Sequence, residues 1–246
     1  MTRTATAESD RPGTLPAALR GVARVAFFDV DETLIHAKSM IDFDGHWSRT
    51  APHHRPGTPL PDLIARLRAD GAGREEQNRA YYRRFAGVPL SELTAAGESW
   101  YRALRRTDYL IARTAAALER HRGAGEGVVL LSGSLHACLD PMARELGAHL
   151  VLCTAQHVSP QGILTGEIVT PMIGQAKSDA AHALLRSLGL TWRNATAYGD
   201  HATDLPLLRS ARVAYVVGDD PELAAAAQEF VWHRLPREAS LAPCTE

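Results

Sequence analysis

Apolar and polar positions change texture twice along this chain. Residues 23–29 carry an unbroken apolar run, Val25-Ala26-Phe27-Phe28, that stops abruptly at Asp29 and Asp31. Such a run suits a strand buried on both faces, as parallel sheets require. From about 40 to 122 the spacing becomes helical, with stretches at 60–69, 75–85, 90–105 and 109–122. In the last of these, apolar residues recur near every third or fourth position, as an amphipathic helix needs. Pro59, Pro61, Gly71, Gly73, Gly87 and Pro89 break the stretches apart. Beyond 123 the textures alternate. Strand-like runs at 127–131, 149–153, 195–198 and 212–217 are interleaved with helical ones at 135–146, 178–188, 202–209 and 221–228. Gly147 and Gly189 close two of those helices, and 162–168 is hairpin-like. This alternation predicts an α/β fold, a Rossmann-like parallel sheet flanked by helices, with an all-helical insert between its first two strands.

The chemistry-bearing residues fall at the ends of those runs. Side chains alternate along an extended chain, so Asp29 and Asp31 would share one side at the strand's carboxyl end. Open α/β sheets bind their ligands there. Crowded like charges are costly without a cation, which points to a divalent metal. Alone, the stretch equally fits a strand running into an acidic surface turn. The small-residue loop Ser132-Gly133-Ser134 opens a helix, where amide hydrogens favour anions, although a lone Ser132 also fits a helix cap. Lys177 opens a later helix, and Gly199-Asp200-His201-Ala202-Thr203-Asp204 follows the strand ending at Tyr198. Singly, these fit a solvated charge, a cap and a first-turn charge.

Taken together and in this order, the four stretches resemble the haloacid dehalogenase (HAD) superfamily across residues 22–233. The stretch Leu164-Thr165-Gly166-Glu167-Ile168, with Gly174 before Lys177, is similar to subfamily IB, which includes phosphoserine phosphatases. The resemblance implies a core domain from 21–39 and 123–235, with 40–122 as a C1-type helical cap. It also implies a Mg²⁺-dependent phosphomonoesterase that works through an aspartyl-phosphate. Asp29 would be the nucleophile and Asp31 the general acid and base. The Asp29 carboxylate, the Asp31 backbone carbonyl and the Asp200 carboxylate would ligate the metal. Ser132, the Gly133 amide and Lys177 would hold the phosphoryl oxygens. Asp204 would orient Lys177 or metal-bound water, and Thr33 would be structural.

Departures narrow the branch. Dehalogenases lack an acid at Asp31, P-type ATPases carry Lys-Thr-Gly-Thr after the nucleophile, and mutases usually place glycine where this chain has Glu32. Phosphoserine phosphatases commonly place a glutamate for the substrate ammonium where this chain has Lys38, so phosphoserine is not the expected main substrate. Arg83 and Arg84 are candidate substrate contacts from the cap. The alternatives are a phosphotransferase or phosphomutase of the same chemistry, or a non-catalytic binding protein on the same scaffold.

Composition adds limits. Of 246 residues 45% are hydrophobic, enough for a real core, and net charge is −1, which disfavours general nucleic-acid or anionic-membrane binding. No apolar run nears the roughly 20 residues that span a bilayer. Residues 1–20 lack the apolar core of a signal peptide and predict a flexible tail, as do 236–246. Cys138, Cys153 and Cys244 are odd in number and scattered, consistent with free thiols in a reducing cytoplasm. Only Lys38 and Lys177 are lysines among 27 basic residues, which fits a need for a compact point charge at each, although chance equally accounts for Lys38. His53, His54, His121, His136, His157 and His201 are scattered like surface or loop residues, and Trp47, Trp100 and Tyr101 like core. The expected partner is a small phosphorylated metabolite.

Overall fold

The structure, a computed structural model, describes residues 17–50 and 57–237. Among these, six parallel strands form one sheet. In spatial order they are Leu150–Cys153 (β3), Gly127–Ser132 (β2), Val25–Phe28 (β1), Ala195–Gly199 (β6), Val213–Val217 (β7) and His233–Leu235 (β8). All four β1 residues are buried, as an unbroken apolar run on a central strand must be. The chain builds from β1 toward β3 on one side and from β6 toward β8 on the other. The carboxyl end of β1 therefore lies at the point where strand order reverses, with the ends of β2 and β6 on either side. The hairpin-like stretch is a separate antiparallel pair, Gln156–Val158 (β4) with Leu164–Ile168 (β5).

Helices cover both faces of the sheet. His136–Leu146 (α6), Gln175–Ser187 (α7), Leu205–Ser210 (α8) and Pro221–Glu229 (α9) alternate with the later strands. Gly147 ends α6 at φ 68°, a left-handed turn that glycine adopts without strain. Between β1 and β2 stand Ser39–Thr50 (α1), Leu60–Ala69 (α2), Arg74–Arg83 (α3), Leu90–Leu104 (α4) and Ala112–Gly123 (α5). The chain leaves and re-enters the core side by side. The His36 amide donates to the Tyr109 carbonyl at 2.9 Å and the Ile111 amide to the Leu34 carbonyl at 3.0 Å. Phe43, Trp47, Phe85 and Trp100 pack as a mutually tilted aromatic cluster inside the insert. Tyr101 is buried and shares a 2.8 Å hydroxyl contact with Tyr109. No helix among the described residues is long and apolar enough to cross a membrane.

Several local expectations change. α1 is not among the expected helical stretches, because polar residues and Gly45 obscure its spacing; the burial of Phe43 and Trp47, four apart, fixes it as a helix. β8 has three residues and exists through its pairing with β7. The N-terminal tail ends earlier than residue 20, since Leu19 is fully buried against the core. The C-terminal tail begins later than 236, because Arg237 makes two ion pairs described below. His53, His54 and Cys244 lie outside the described residues, as do 238–246. His121 is a half-buried linker, contacting Glu126 at 2.6 Å and the Tyr198 hydroxyl at 2.9 Å.

The insert meets the core most closely where α4 crosses α6. A Cβ at Gly97 would lie 1.9 Å from the Ala137 carbonyl oxygen, a backbone atom that cannot swing aside. Gly97→Ala must therefore push two helices apart. It is expected to cost at least the roughly 1–3 kcal/mol of core overpacking, read as a lowered Tm in a thermal melt. An unchanged Tm would contradict this packing.

Candidate active site

Three strand ends and one helix start build the site. β1 delivers Asp29, whose amide donates to the Tyr198 carbonyl on β6 at 3.0 Å, so the ladder continues to this residue. The chain then folds back on itself: the amides of Thr33, Leu34 and Ile35 all approach the Val30 carbonyl. That turn puts Glu32 at φ 58°, a left-handed conformation costing a non-glycine residue on the order of 1 kcal/mol. Two ion pairs grip the strained residue, Lys38 at 3.0 Å and Arg237 at 3.2 Å. Asp31 is half-buried and accepts the Ser39 amide at the start of α1, at 3.0 Å.

Lys177, in the first turn of α7, lies buried between two carboxylates, 2.5 Å from Asp29 and 2.7 Å from Asp204. The other Asp204 oxygen accepts the amides of Asp200 and His201 at 3.3 and 3.4 Å. Glycine at 199 makes room for this, since a Cβ there would stand 2.7 Å from that of Asp204. Thr33 is fully buried and donates to Asp200 at 3.2 Å, while its carbonyl accepts from Thr114 at 2.7 Å, a structural role. His201 stops the short turn after β6 by accepting the Thr203 amide at 3.1 Å. Burial, then Arg74, push the imidazole below its ordinary pKa, which leaves Nδ1 bare to accept.

Ser132 is buried at the end of β2, and its hydroxyl accepts the Ser134 amide at 3.1 Å. The Gly133 carbonyl accepts from Asn78 at 2.8 Å, Thr154 at 3.0 Å and Tyr82 at 3.2 Å. Asn78 and Tyr82 belong to α3, so the insert is hydrogen-bonded directly to this loop.

Asp29, Asp200 and Asp204 bring carboxylate oxygens within 4.8 Å of one another. At such separations each like-charged pair repels by about 3–4 kcal/mol at an effective dielectric of about 20. One buried lysine cannot balance these and Asp31 as well. The imbalance shows in the carboxyl groups. Burial pushes Asp29 up despite Lys177; burial and Asp29 push Asp31 up to about 6; burial, then Asp29 and Asp204, push Asp200 up to about 8. Burial alone would lower Lys177, but Asp204 and Asp29 raise it, so it remains a cation. The donor set is hard oxygen and short of positive charge, which fits a divalent cation. Asp204 is already spent on Lys177 and two amides, so Asp29 and Asp200 are the better-placed carboxylates for a metal. Asp200 is not bare either, since Arg237 approaches its second oxygen at 3.1 Å.

A cavity of about 300 Å³ opens above this corner, lined by Asp29, Asp31, Ser132, Gly133, Lys177, Asp200 and Asp204. Lys38 also lines it. Arg83 and Arg84 do not, which corrects their assignment as substrate contacts. Arg83 pairs with Glu76 on the surface, and Arg84 is tied to Asp44 and the Thr58 carbonyl at 2.8–3.2 Å, bracing the insert internally. The insert instead contributes Met40, Ile41, Ile64, Arg68, Arg74 and Gln77. No motif marked these; only the i, i+3, i+4 spacing along α2 and α3 could have grouped them.

A carboxylate and a lysine in a cation-hungry acidic corner at a sheet switch point fit the class of α/β proteins that handle anionic ligands. The comparisons specify it. A model of the haloacid dehalogenase-like hydrolase family matches residues 26–209. A Mycobacterium tuberculosis H37Rv protein named phosphoserine phosphatase SerB1 is 31% identical over 226 residues, covering 87% of this chain and 72% of its own. A Streptomyces azureus protein named inhibition of morphological differentiation protein is 31% identical over 224 residues, covering 84% and 76%. Among solved structures, a protein with unknown function from Bordetella pertussis Tohama I superposes with TM-score 0.78 at 24% identity, over 88% of this chain and all of that one. A phospho-aspartyl intermediate analogue of phosphoserine phosphatase gives 0.59 at 16%, over 88% and 94%; at such identities both speak for the fold. The chain belongs to the haloacid dehalogenase-like hydrolase family, and within it is a phosphoric monoester hydrolase.

The raised carboxyls set a pH dependence. Asp31 and Asp200 hold protons in the folded chain that the unfolded chain releases near pH 4, so without a divalent cation stability falls as pH rises through about 4 to 8. Bound cation should reverse that slope. The Tm gain on adding Mg²⁺ is expected to be larger at about pH 8 than at about pH 5, measured by scanning calorimetry. Equal gains would mean the cation does not meet these carboxylates.

Proposed function

We propose that the chain is a Mg²⁺-dependent phosphomonoesterase that hydrolyses a small-metabolite phosphate through an aspartyl-phosphate. The observation that carries this reading is the acidic corner itself: Asp29 held by Lys177, with Asp31 two residues beyond and its carboxyl pushed up to about 6 by burial and Asp29. The Asp29 carboxylate attacks phosphorus in line. Asp31 gives its proton to the departing alkoxide oxygen, a task that suits a carboxyl near 6. It then takes a proton from the water that attacks the aspartyl-phosphate, releasing inorganic phosphate and restoring Asp29. Lys177, the Ser132 hydroxyl and the Gly133 amide hold the phosphoryl oxygens. Asp204 is a positioning residue, fixing Lys177 by its 2.7 Å contact. Asp29, Asp200 and the Asp31 backbone carbonyl are the residues to hold Mg²⁺. When bound, the ion offsets the repulsion between the Asp29 carboxylate and the phosphate dianion.

Residues 40–122 serve as a cap over a core of 21–39 and 123–235, limiting the leaving group to what the cavity admits. Phosphoserine is a poor substrate in this reading. Among the described residues, the lining carboxylate outside the acidic corner is Glu32, and it is already engaged by Lys38 and Arg237 rather than open to an ammonium.

Asp29→Asn should abolish phosphate release from p-nitrophenyl phosphate, and Asp31→Asn should slow it by about 10²–10⁴-fold. Undiminished release by the first variant sinks the assignment. Label from a ³²P-monoester is expected in inorganic phosphate; label accumulating on an added acceptor alcohol would indicate a transferase instead. In a metabolite screen, phosphoserine turned over far better than other monoesters would remove the specificity claim.

A further inference from the structure

The leaving-group half of the cavity has a charge and polarity that the hydrolytic machinery does not use. Pro61, Ile64, Ala65 and Arg68 line it from α2, at i, i+3, i+4 and i+7, so one continuous and largely exposed helix face borders the cavity. Along that face, about 10 Å from first to last residue, an apolar strip ends in a guanidinium. Arg74 and Gln77 line the same space from α3 on matching spacing. Gln77 is buried and anchored to the Ala72 carbonyl at 2.8 Å, and its side-chain oxygen accepts Arg68 Nε at 3.3 Å. That contact aims Arg68 while leaving its terminal nitrogens without an acceptor among the described residues. The Arg74 guanidinium has no hydrogen-bond or ion-pair partner among the described residues, although it lies close enough to His201 to disfavour its protonation. Between residues 38 and 78 the lining holds Lys38, Arg68 and Arg74 and no carboxylate.

Exposed arginines are ordinary, and a solvated pair would need no ligand. Here both belong to one concave wall, one is oriented by a buried side chain, and the apolar strip leads to them. We infer that the substrate's leaving group carries a second anion, a carboxylate or a further phosphate, separated from the scissile phosphate by an apolar body. The anion meets Arg68 and Arg74, whose forked donors match either oxyanion; the body lies along Pro61, Ile64 and Ala65. This inference rests on the phosphatase reading and names the substrate class for the same site.

The test uses ω-substituted alkyl phosphates of graded spacer length ending in a carboxylate, a phosphate, a methyl ester or an ammonium, with p-nitrophenyl phosphate as reference. At low ionic strength and matched spacer, kcat/KM for the better of the two anionic ends should exceed the methyl ester by about tenfold, with the ammonium lowest. Whichever anion leads identifies the source of the charge. Arg74→Glu should invert the carboxylate-to-ammonium preference and Arg74→Lys should retain most of it. The readout is a ratio of kcat/KM values for two substrates in one preparation, so a partly unfolded variant still reports it. Equal kcat/KM for all four ends, or an unchanged ratio in Arg74→Glu, overturns the inference while phosphatase activity stands. Failure to hydrolyse even p-nitrophenyl phosphate overturns the phosphatase reading itself.

Discussion

Everything in this molecule is arranged around one ammonium group among too many carboxylates. Lys177 sits within 2.7 Å of both Asp29 and Asp204, buried with them at the end of the central strand. A buried ion pair contributes little net stability, because desolvation offsets most of the attraction. Four acidic groups against one buried lysine, with only Arg237 approaching from outside, go further and work against the fold. The corner is kept at a cost and held by packing elsewhere, and the raised carboxyl groups are the measure of that cost. Charge deficit, not metal-ligand geometry alone, makes the site receptive to a cation and then to an anion.

The surroundings distribute that electrostatic load. Asp204 spends both oxygens on fixed donors, which keeps it from following the other carboxylates toward a ligand. Arg237 bridges Asp200 and Glu32 from beyond the last strand, supplying positive charge to a strained turn and to a prospective ligand at once. Glu32 shows why glycine is the easier choice after such a carboxylate pair. Its left-handed backbone is tolerated because Lys38 and Arg237 both hold its side chain.

The parts of the fold written as unbroken apolar runs or clean helical spacing were legible before any coordinates. β1, β2 and β7 were evident from consecutive apolar residues, and α2 and α3 from breakers at each end. The acidic corner was legible because strand ends carry it, so local sequence determines which residues meet. What escaped depended on distant partners. β8 is three residues with no apolar pattern of its own, and α1 is signalled mainly by Phe43 and Trp47 finding the insert's aromatic cluster. Arg83 and Arg84 misled because a basic pair beside tyrosines carries no information about direction. Helical phase turned one to Glu76 and the other to Asp44, while Arg68 and Arg74, unremarkable in sequence, face the cavity.

The Gly133 carbonyl joins the two halves of this arrangement. A peptide oxygen has two lone pairs, yet three side-chain donors converge on it, two of them from α3. Its peptide partner, the Ser134 amide, donates to the Ser132 hydroxyl at 3.1 Å, so the insert braces the loop proposed to hold phosphate from behind. A displacement of α3 would therefore disturb the phosphate loop as well as the leaving-group wall. α2 has no such tether among the described residues beyond the Arg68–Gln77 contact. The reacting corner and α3 are thus joined by hydrogen bonds, while the α2 face meets the cavity through apolar side chains and one guanidinium. That division sets hydrogen bonds beside the acidic corner, where charge would develop, and apolar contacts along the opposite wall.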